Sequence, residues 1–425
     1  MFFDGLFPGC FFIFAFLIRT NSLKVYVMKT YDLVEVNDKK TRNEFLMLPV
    51  RLYREEKSWI RPLDEDIEKV FDRGINKSFR SGECIRWILL NENRETVGRV
   101  AAFYDRKIAG NNEQPTGGMG FFECVNDNEA AFMLFDACKD WLAGKGMEAM
   151  DGPVNFGDRD RWWGLLVDGF TEPNYCMPWN FLYYKDLFEA YGFQVYFNQY
   201  TFRRHIGVDG LHPSILEKAE RMFANPEYSF RYINKKNLEK AAEDFMIVYN
   251  QAWASHSGIK EITRTHAMAL LKNFKPIMDE QLIWFAYHND EPIGFYIMIP
   301  EINQIVKYLD GKMNLLGKMK FMYHKWRKTC KKVYGVIFGV VPRFQSRGVE
   351  GGMIMAFAEL ATRPGFQYKV IELNWIGDFN PAMLKLAEQL AFSVTKTHVT
   401  MRYLFDREKE FKRLPVIPRR NKTPE

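Results

Sequence analysis

The segment Gly339-Val340-Val341-Pro342-Arg343-Phe344-Gln345-Ser346-Arg347-Gly348-Val349-Glu350-Gly351-Gly352 carries the most specific chemistry in the sequence. An apolar strand enters a glycine-rich turn and then a helix, a pattern that sets successive backbone N–H groups at a helix N-terminus. Free donors and the helix dipole attract phosphate there, and glycine lets backbone approach an anion closely. Arg343 and Arg347 add positive charge, whereas Glu350 brings a carboxylate toward the same place. A plain strand-to-helix turn would use the same glycines. Downstream, Glu372 and Asp378 are the acidic residues nearest the next strand and its loop, and so are candidates for a general base. Either could equally be a solvated carboxylate or an ion-pair partner, since a base must first lie within reach of its proton. Glu123, Asp158 and Asp160 are remoter candidates, and Trp162 and Trp163 could line a substrate pocket or pack between domains.

The elements that must position these groups alternate short apolar strands with amphipathic helices from Met28 onward, which predicts a mixed α/β fold. Strands are expected at Arg86 to Leu90, Thr96 to Tyr104, Gly117 to Cys124 and near Met147 to Asp151, with a helix starting at Asn126-Asp127-Asn128 and another around Tyr183 to Ala190. After a polar linker, His205 to Pro213, a second round begins. It has helices at Asn237 to Asn250 and Thr263 to Phe274 and strands at Ser229 to Ile233, Gln281 to His288, Pro292 to Ile299 and Val333 to Val341. A helix at Gly351 to Thr362, a strand at Val370 to Trp375, a helix at Pro381 to Leu390 and a hairpin-like pair from Phe392 to Phe405 close it. The similar order in both rounds is the echo of a duplication. The organisation read from this is an apolar extension over 1–27, an N-terminal domain over 28–206, a C-terminal domain over 207–413 with an insertion at 301–332, and a tail over 414–425.

The turn and its sequel resemble the GNAT acyltransferase family, whose signature is a strand, a V-x-P turn and [QR]-x-x-G-x-[GA] before a long helix. Gln345, Arg347 and Gly348 fit that pattern, and Glu350 departs from it. Glu372-Leu373-Asn374-Trp375-Ile376, followed by Asn380, Leu386, Glu388 and Ala391-Phe392, is similar to the family's next strand, asparagine, helix and terminal Gly-Phe. The resemblance implies two tandem GNAT-like domains and an acyl-CoA or acetyl-CoA co-substrate with no tightly bound cofactor. It also implies that Val340 and Val341 present backbone groups to an acyl-pantetheine arm lying between two splayed strands. The pyrophosphate would sit on Gln345, Ser346, Arg347, Gly348, Val349, Glu350 and Gly351, and Asn380 would contact the arm's far end. The tyrosine that often serves the family as general acid aligns with Ala387. The N-terminal half resembles the same fold without the phosphate turn, because Gly120-Phe121-Phe122-Glu123-Cys124 leads straight to Asn126-Asp127-Asn128-Glu129. Gly152-Pro153-Val154-Asn155, the stretch Gly164 to Phe170, and Asn180 to Tyr184 with Tyr191-Gly192-Phe193 are similar to an uncharacterised bacterial two-domain GNAT-like family. The activity implied is transfer of an acyl group from acyl-CoA, or from acyl carrier protein, to an amine, with a lipid amine as one acceptor. A tandem-GNAT transferase using aminoacyl-tRNA, and a non-catalytic acyl-CoA-binding protein, are the alternatives.

Composition sets the outer limits. With 425 residues, 47% of them hydrophobic, the chain can fill two cores. Six scattered cysteines form no C-x-x-C pair, which points to a reducing, cytoplasmic setting and to no zinc site or disulfide framework. No H-E-x-x-H, G-x-S-x-G or P-loop motif occurs, so the metalloprotease, serine hydrolase and P-loop classes lose their support and no metal is expected. The apolar run Leu6 to Ile18 is too short to span a bilayer as a helix. It reads as an extension ahead of a start at Met28, with a membrane anchor as the alternative.

The net charge of +6 is local, because residues 307–332 hold nine basic residues against the single acid Asp310. There Leu315, Met319, Met322, Trp326 and Cys330 recur at helical spacing while most lysines lie off that stripe. Such a segment suits an anionic membrane surface, giving a peripheral location, or an acidic partner such as acyl carrier protein. Alternatively the stripe packs on the protein's own core. Nucleic acid is disfavoured, since no second basic surface is apparent.

Overall fold

A computed structural model describes residues 30–110, 113–157, 159–253 and 261–418, so the apolar extension and the Asp158 candidate lie outside the described residues. In the first round the elements are β1 (Asp32–Glu35), α1 (Lys39–Leu52), α2 (Asp64–Phe71), β2 (Gly82–Leu90), β3 (Thr96–Asp105), α3 (Arg106–Ala109) and β4 (Thr116–Cys124). They continue with α4 (Asn128–Gly144), β5 (Ala149–Gly152), β6 (Leu165–Asp168), α5 (Tyr184–Tyr191) and β7 (Gln194–His205). A connecting helix, α6 (Pro213–Ala224), leads to the second round. This contains β8 (Tyr228–Tyr232), α7 (Leu238–Trp253), α8 (Arg264–Phe274), β9 (Ile283–His288), β10 (Glu291–Pro300), α9 (Asn303–Val306) and α10 (Leu315–Trp326). It ends with β11 (Lys332–Val340), α11 (Val349–Ala361), β12 (Val370–Gly377), α12 (Pro381–Gln389) and β13 (Ser393–Leu404).

Local chemistry explains many of these bounds. Asp38 caps α1 by accepting the Thr41 N–H at 2.7 Å, Asp127 caps α4 from Ala130 at 3.1 Å, and Pro381 at the first turn of α12 needs no N–H partner there. Side chains alternate across a strand. In β2, Ile88 and Leu90 therefore pack with Phe45 of α1 and Ile67 and Val70 of α2, while Trp87 and Leu89 pack on the α4 side with Leu134 and Phe135. The first round thus has helices on both faces of its sheet.

All strands join one sheet in the order β1-β2-β3-β4-β5-β13-β7-β12-β11-β10-β9-β8, with β6 pairing β13 off that path. The two rounds are related by their pairing. Antiparallel β2-β3-β4 followed by parallel β4-β5 through α4 corresponds to antiparallel β9-β10-β11 followed by parallel β11-β12 through α11. The last strands are exchanged. β13, from the end of the chain, lies against β5 of the first round (Met401 opposite Gly152), and β7 lies against β12 of the second (Phe202 opposite Leu373). Val399 and Met401 accordingly complete the first-round core, and Phe202 packs with Ile376 and Ala387 of the second. The hairpin-like pair expected over Phe392 to Phe405 is instead this single strand, whose neighbours are remote in sequence. The polar stretch after His205 leads into α6, a helix not anticipated from the sequence.

Candidate active site

β11 and β12 are parallel and paired only from Lys332 opposite Val370 to Gly335 opposite Leu373. Beyond that point β11 runs on to Val340 against β10, and β12 runs on to Gly377 against β7. The two strands part, leaving a wedge whose tip is Gly335 and Leu373. At the open end the backbone has internal partners. The Val341 N–H donates to Ile293 O at 2.9 Å, and the Val340 carbonyl accepts Gln345 Nε2 at 3.0 Å.

The glycine turn forms as the sequence suggests, with Ser346 at φ 63°, Gly348 at φ 106° and α11 starting at Val349. Its glycines, however, meet protein. A Cβ on Gly348 would lie 2.6 Å from Lys218 Cβ and 3.0 Å from the Lys218 backbone; one on Gly351 would lie 2.9 Å from Ile215 O; one on Gly352 would strike the Phe230 ring at 2.2 Å. These positions are small where α6 and β8 close on the start of α11. Val349 is fully buried in the second-round core. Glu350 keeps its carboxylate at the turn, close to the N–H groups of Ser346 and of Glu350 itself. Burial pushes this carboxyl above its ordinary range, while those donors and Lys218 act in the other direction. Within α11 it is the N–H of Glu350 that lies beside this acid.

Beside the turn a basic depression of about 330 Å³ remains open, lined by Lys218, Arg221, Asn225, Tyr228, Ser346 and Arg347. Arg343 is committed elsewhere, to Glu291 at 3.1 Å. Lys218 and Arg221 were missed from sequence because α6 was; their three-residue spacing puts both on one helix face.

Both candidate bases have internal partners. Glu372, 1% exposed, sits in the paired base of the wedge with Lys332 Nζ at 3.2 Å and Lys396 Nζ at 3.7 Å. Burial alone would raise its carboxyl, but the two lysines hold it below the usual range. Asp378 accepts Asn198 Nδ2 at 2.9 Å and Arg413 Nη2 at 2.6 Å. Asn380 is the N-cap of α12, its Oδ1 accepting the Met383 N–H at 3.3 Å. Ala387 is buried against Phe202 and Ile376, so α12 brings no acid group to that position.

A second polar constellation lies in the first round. Glu123, at the end of β4, accepts hydrogen bonds from Tyr53 Oη, from Tyr184 Oη at 2.8 Å and from Arg99 Nη2 at 3.3 Å. Burial pushes the Glu123 carboxyl up, and Arg99 and the two phenols oppose that shift. Glu123 borders a cavity of about 70 Å³ that Trp162 also lines. Trp163 points elsewhere, donating to Thr400 Oγ1 at 3.0 Å. The loop over Pro173 to Trp179 joins the two regions. Pro173 and Met177 line this cavity, while Asn174 Oδ1 meets Lys332 Nζ at 3.2 Å and the Tyr175 N–H meets Glu301 Oε1 at 2.8 Å near the base of the wedge.

Two rounds of antiparallel strands, each followed by a parallel crossover, with the second-round pair splaying apart, define a tandem protein of GNAT fold. No family model matches the chain. It is 27% identical over 364 residues to the bacterial ceramide synthase of Caulobacter vibrioides, covering 83% of this chain and 92% of that one. It is 22% identical over 369 residues to protein YghO of Escherichia coli, covering 83% and 90%. Among solved structures, the GCN5-related glucosamine N-acetyltransferase region of a fungal multi-domain GH3 β-N-acetylglucosaminidase superposes with a TM-score of 0.51 at 10% identity, over 88% of this chain and 38% of that one. That likeness supports the fold.

Proposed function

We propose that this chain is an N-acyltransferase that moves an acyl group from a thioester to the amine of a lipid at an anionic membrane surface. The observation that carries this reading is the likeness, over 83% of this chain, to a protein named bacterial ceramide synthase, a ceramide being the amide of a long-chain amine. In the reaction the amine nitrogen attacks the thioester carbonyl carbon, the C–S bond breaks, the nitrogen gives up a proton as the amide forms, and the thiolate leaves and takes up a proton. Holding donor and acceptor together supplies much of the acceleration.

The donor is acyl-CoA or acetyl-CoA, its pyrophosphate held in the basic depression by Lys218, Arg221 and Arg347 beside Ser346, and its arm directed into the wedge. Acyl carrier protein is the other donor that could present the same arm. The second-round domain holds the donor and the first-round domain the acceptor.

The membrane reading rests on α10. Within the helix the apolar stripe does not pack on the core: Leu315 is 74% exposed and Trp326 76%, and Leu316, Met319, Met322 and Tyr323 are also exposed, whereas Cys330, beyond the helix end, is buried in the second-round core. Lys318, Lys320, Lys325, Arg327 and Lys328 surround the stripe. Apolar residues ringed by cations match an anionic bilayer, which takes up the first and attracts the second. Among the described residues no helix is long and apolar enough to cross a membrane.

The test is direct. Purified full-length protein is incubated with acyl-CoA thioesters of graded length and a long-chain amino alcohol in vesicles, and the amide is sought by mass spectrometry. CoA-dependent amide is expected. Acyl transfer from aminoacyl-tRNA alone, or CoA binding with no amide from any amine, would overturn the reading.

A further inference from the structure

The first-round cavity has an imbalance of hydrogen-bonding groups. Arg99 Nε, Trp162 Nε1 and Trp179 Nε1 are buried atoms with no hydrogen-bond partner, and all three residues line this one cavity; Arg61, also on its wall, keeps its Nε against Gly311. Trp162, Trp179 and Arg99 are 9%, 8% and 4% exposed. An indole N–H and a guanidinium N–H can only donate, and a buried donor without an acceptor is costly. What complements them is a ligand bringing oxygen acceptors.

Charge narrows the class. Arg61 is already paired with Asp64 at 2.9 Å and with Asp310 at 3.3 Å, and Arg99 with Glu123 at 3.3 Å. Little positive charge is left for a carboxylate or phosphate, so the oxygens are those of a neutral hydroxyl or carbonyl. Glu123, an acceptor on the same wall, suits a neighbouring amine. A volume of about 70 Å³ accommodates a small polar head and excludes a whole lipid or a nucleotide. The rim is bonded to the insertion that carries α10: Arg61 meets Asp310, and the Asp64 N–H donates to Gly311 O at 2.9 Å.

We infer that this cavity is the head-group site for the acceptor, binding an amine that also bears a neutral hydroxyl or carbonyl, through its oxygen to the indole and guanidinium N–H groups and through its amine to Glu123. This deepens the acyl-transfer reading and rests on it for the identity of the acceptor. It makes Trp162 and Trp179 specificity-determining residues.

The experiment uses the full chain and three probes of equal chain length, namely hexylamine, norleucinol and norleucine, with binding measured by calorimetry. The wild type should prefer norleucinol to hexylamine. Trp162→Phe and Trp179→Phe keep the aromatic bulk and remove the donor. Each should weaken norleucinol about two- to tenfold, leaving hexylamine and acyl-CoA affinities unchanged, and the double variant should lose the preference. Equal wild-type affinity for norleucinol and hexylamine, or a preference that survives in the double variant, overturns the site; tighter binding of norleucine overturns the neutral head. Should the variants misfold, the indole N–H resonances of Trp162 and Trp179 in the wild type decide: norleucinol and not hexylamine must shift them, and their failure to move refutes the assignment. The two readings fail separately. Hydroxyl-selective binding without amide formation removes acyl transfer and leaves the site, whereas equal acylation of both amines removes the site and leaves acyl transfer.

Discussion

Neutralising the basic ring of α10 tests membrane attachment most sharply, because the helix stripe is exposed and its loss need not disturb the core. Lys318, Lys320 and Arg327 are all exposed. Near an anionic surface each such cation contributes about 1 kcal/mol, so changing the three to Gln should cost about 3 kcal/mol, or roughly 150-fold in partitioning. Trp326 is 76% exposed. Burying a large apolar side chain is worth roughly 2 kcal/mol, so Trp326→Ala should cost roughly 30-fold with a weaker salt dependence. The assay is co-sedimentation with vesicles that contain or lack anionic lipid, at low and high salt. Screening should erase most of the difference between wild type and the triple-Gln variant, and thermal unfolding of both variants should match that of the wild type. Undiminished vesicle binding by the triple-Gln variant, or a preference for acyl carrier protein over vesicles, would refute the reasoning. A large fall in melting temperature would show that the stripe packs within the protein.

Reversing Lys218 and Arg221 to Glu should weaken CoA at least tenfold in calorimetry, since each removes a charge-assisted contact, while Glu350→Gln should strengthen it by relieving repulsion; unchanged affinity in all three variants would dismiss the depression as the donor's phosphate site. Buried His398 has its pKa lowered by burial to about 4 from 6.5. It is therefore neutral in the fold, and the stability that depends on this is complete above pH 6.5 and lost as pH falls from 6.5 through 4. The loss is about 3 kcal/mol. His398→Gln should flatten that part of the denaturant-midpoint profile, and an unaltered slope would contradict it. Cleavage of the chain between Gly207 and Gly210 should leave both pieces in one species on gel filtration until denatured, because each round holds a strand of the other; spontaneous separation would disprove the interlock.

Much of the fold was legible because its signals are local. The strand expected over Gly117 to Cys124 is found at Thr116–Cys124, and the helix expected from Pro381 is found at Pro381–Gln389, where proline and the Asn380 cap fix the start. The pairing of β13 with β5 joins residues some 250 apart, and no local pattern records it. The stripe on α10 was visible as a period, but periodicity alone says nothing of whether the apolar face turns inward or outward. Candidate residues fared according to the same rule. The turn at Ser346 and Gly348 declares itself in sequence, whereas its cover, Lys218 on α6, lies far upstream. Tyr53, Glu123 and Tyr184 meet across separations of 61 to 131 residues, and what marks them as a unit is the shared burial of a carboxylate, which a sequence does not display. Glu372 was legible as an acid beside the wedge and not as the partner of Lys332 and Lys396, since two of those three come from other strands.

The crossing of β7 and β13 bears on ancestry. A duplicated gene whose copies each kept their own final strand could later shed either copy. Here the connectivity is that of two like subunits that traded termini and were then joined end to end. From that moment loss of one copy would open a slot in the surviving sheet, with bare N–H and C=O groups along its edge. The copies could diverge, and they differ at the acidic cap Asp127 and the basic depression around Lys218, yet they are bound to be inherited together.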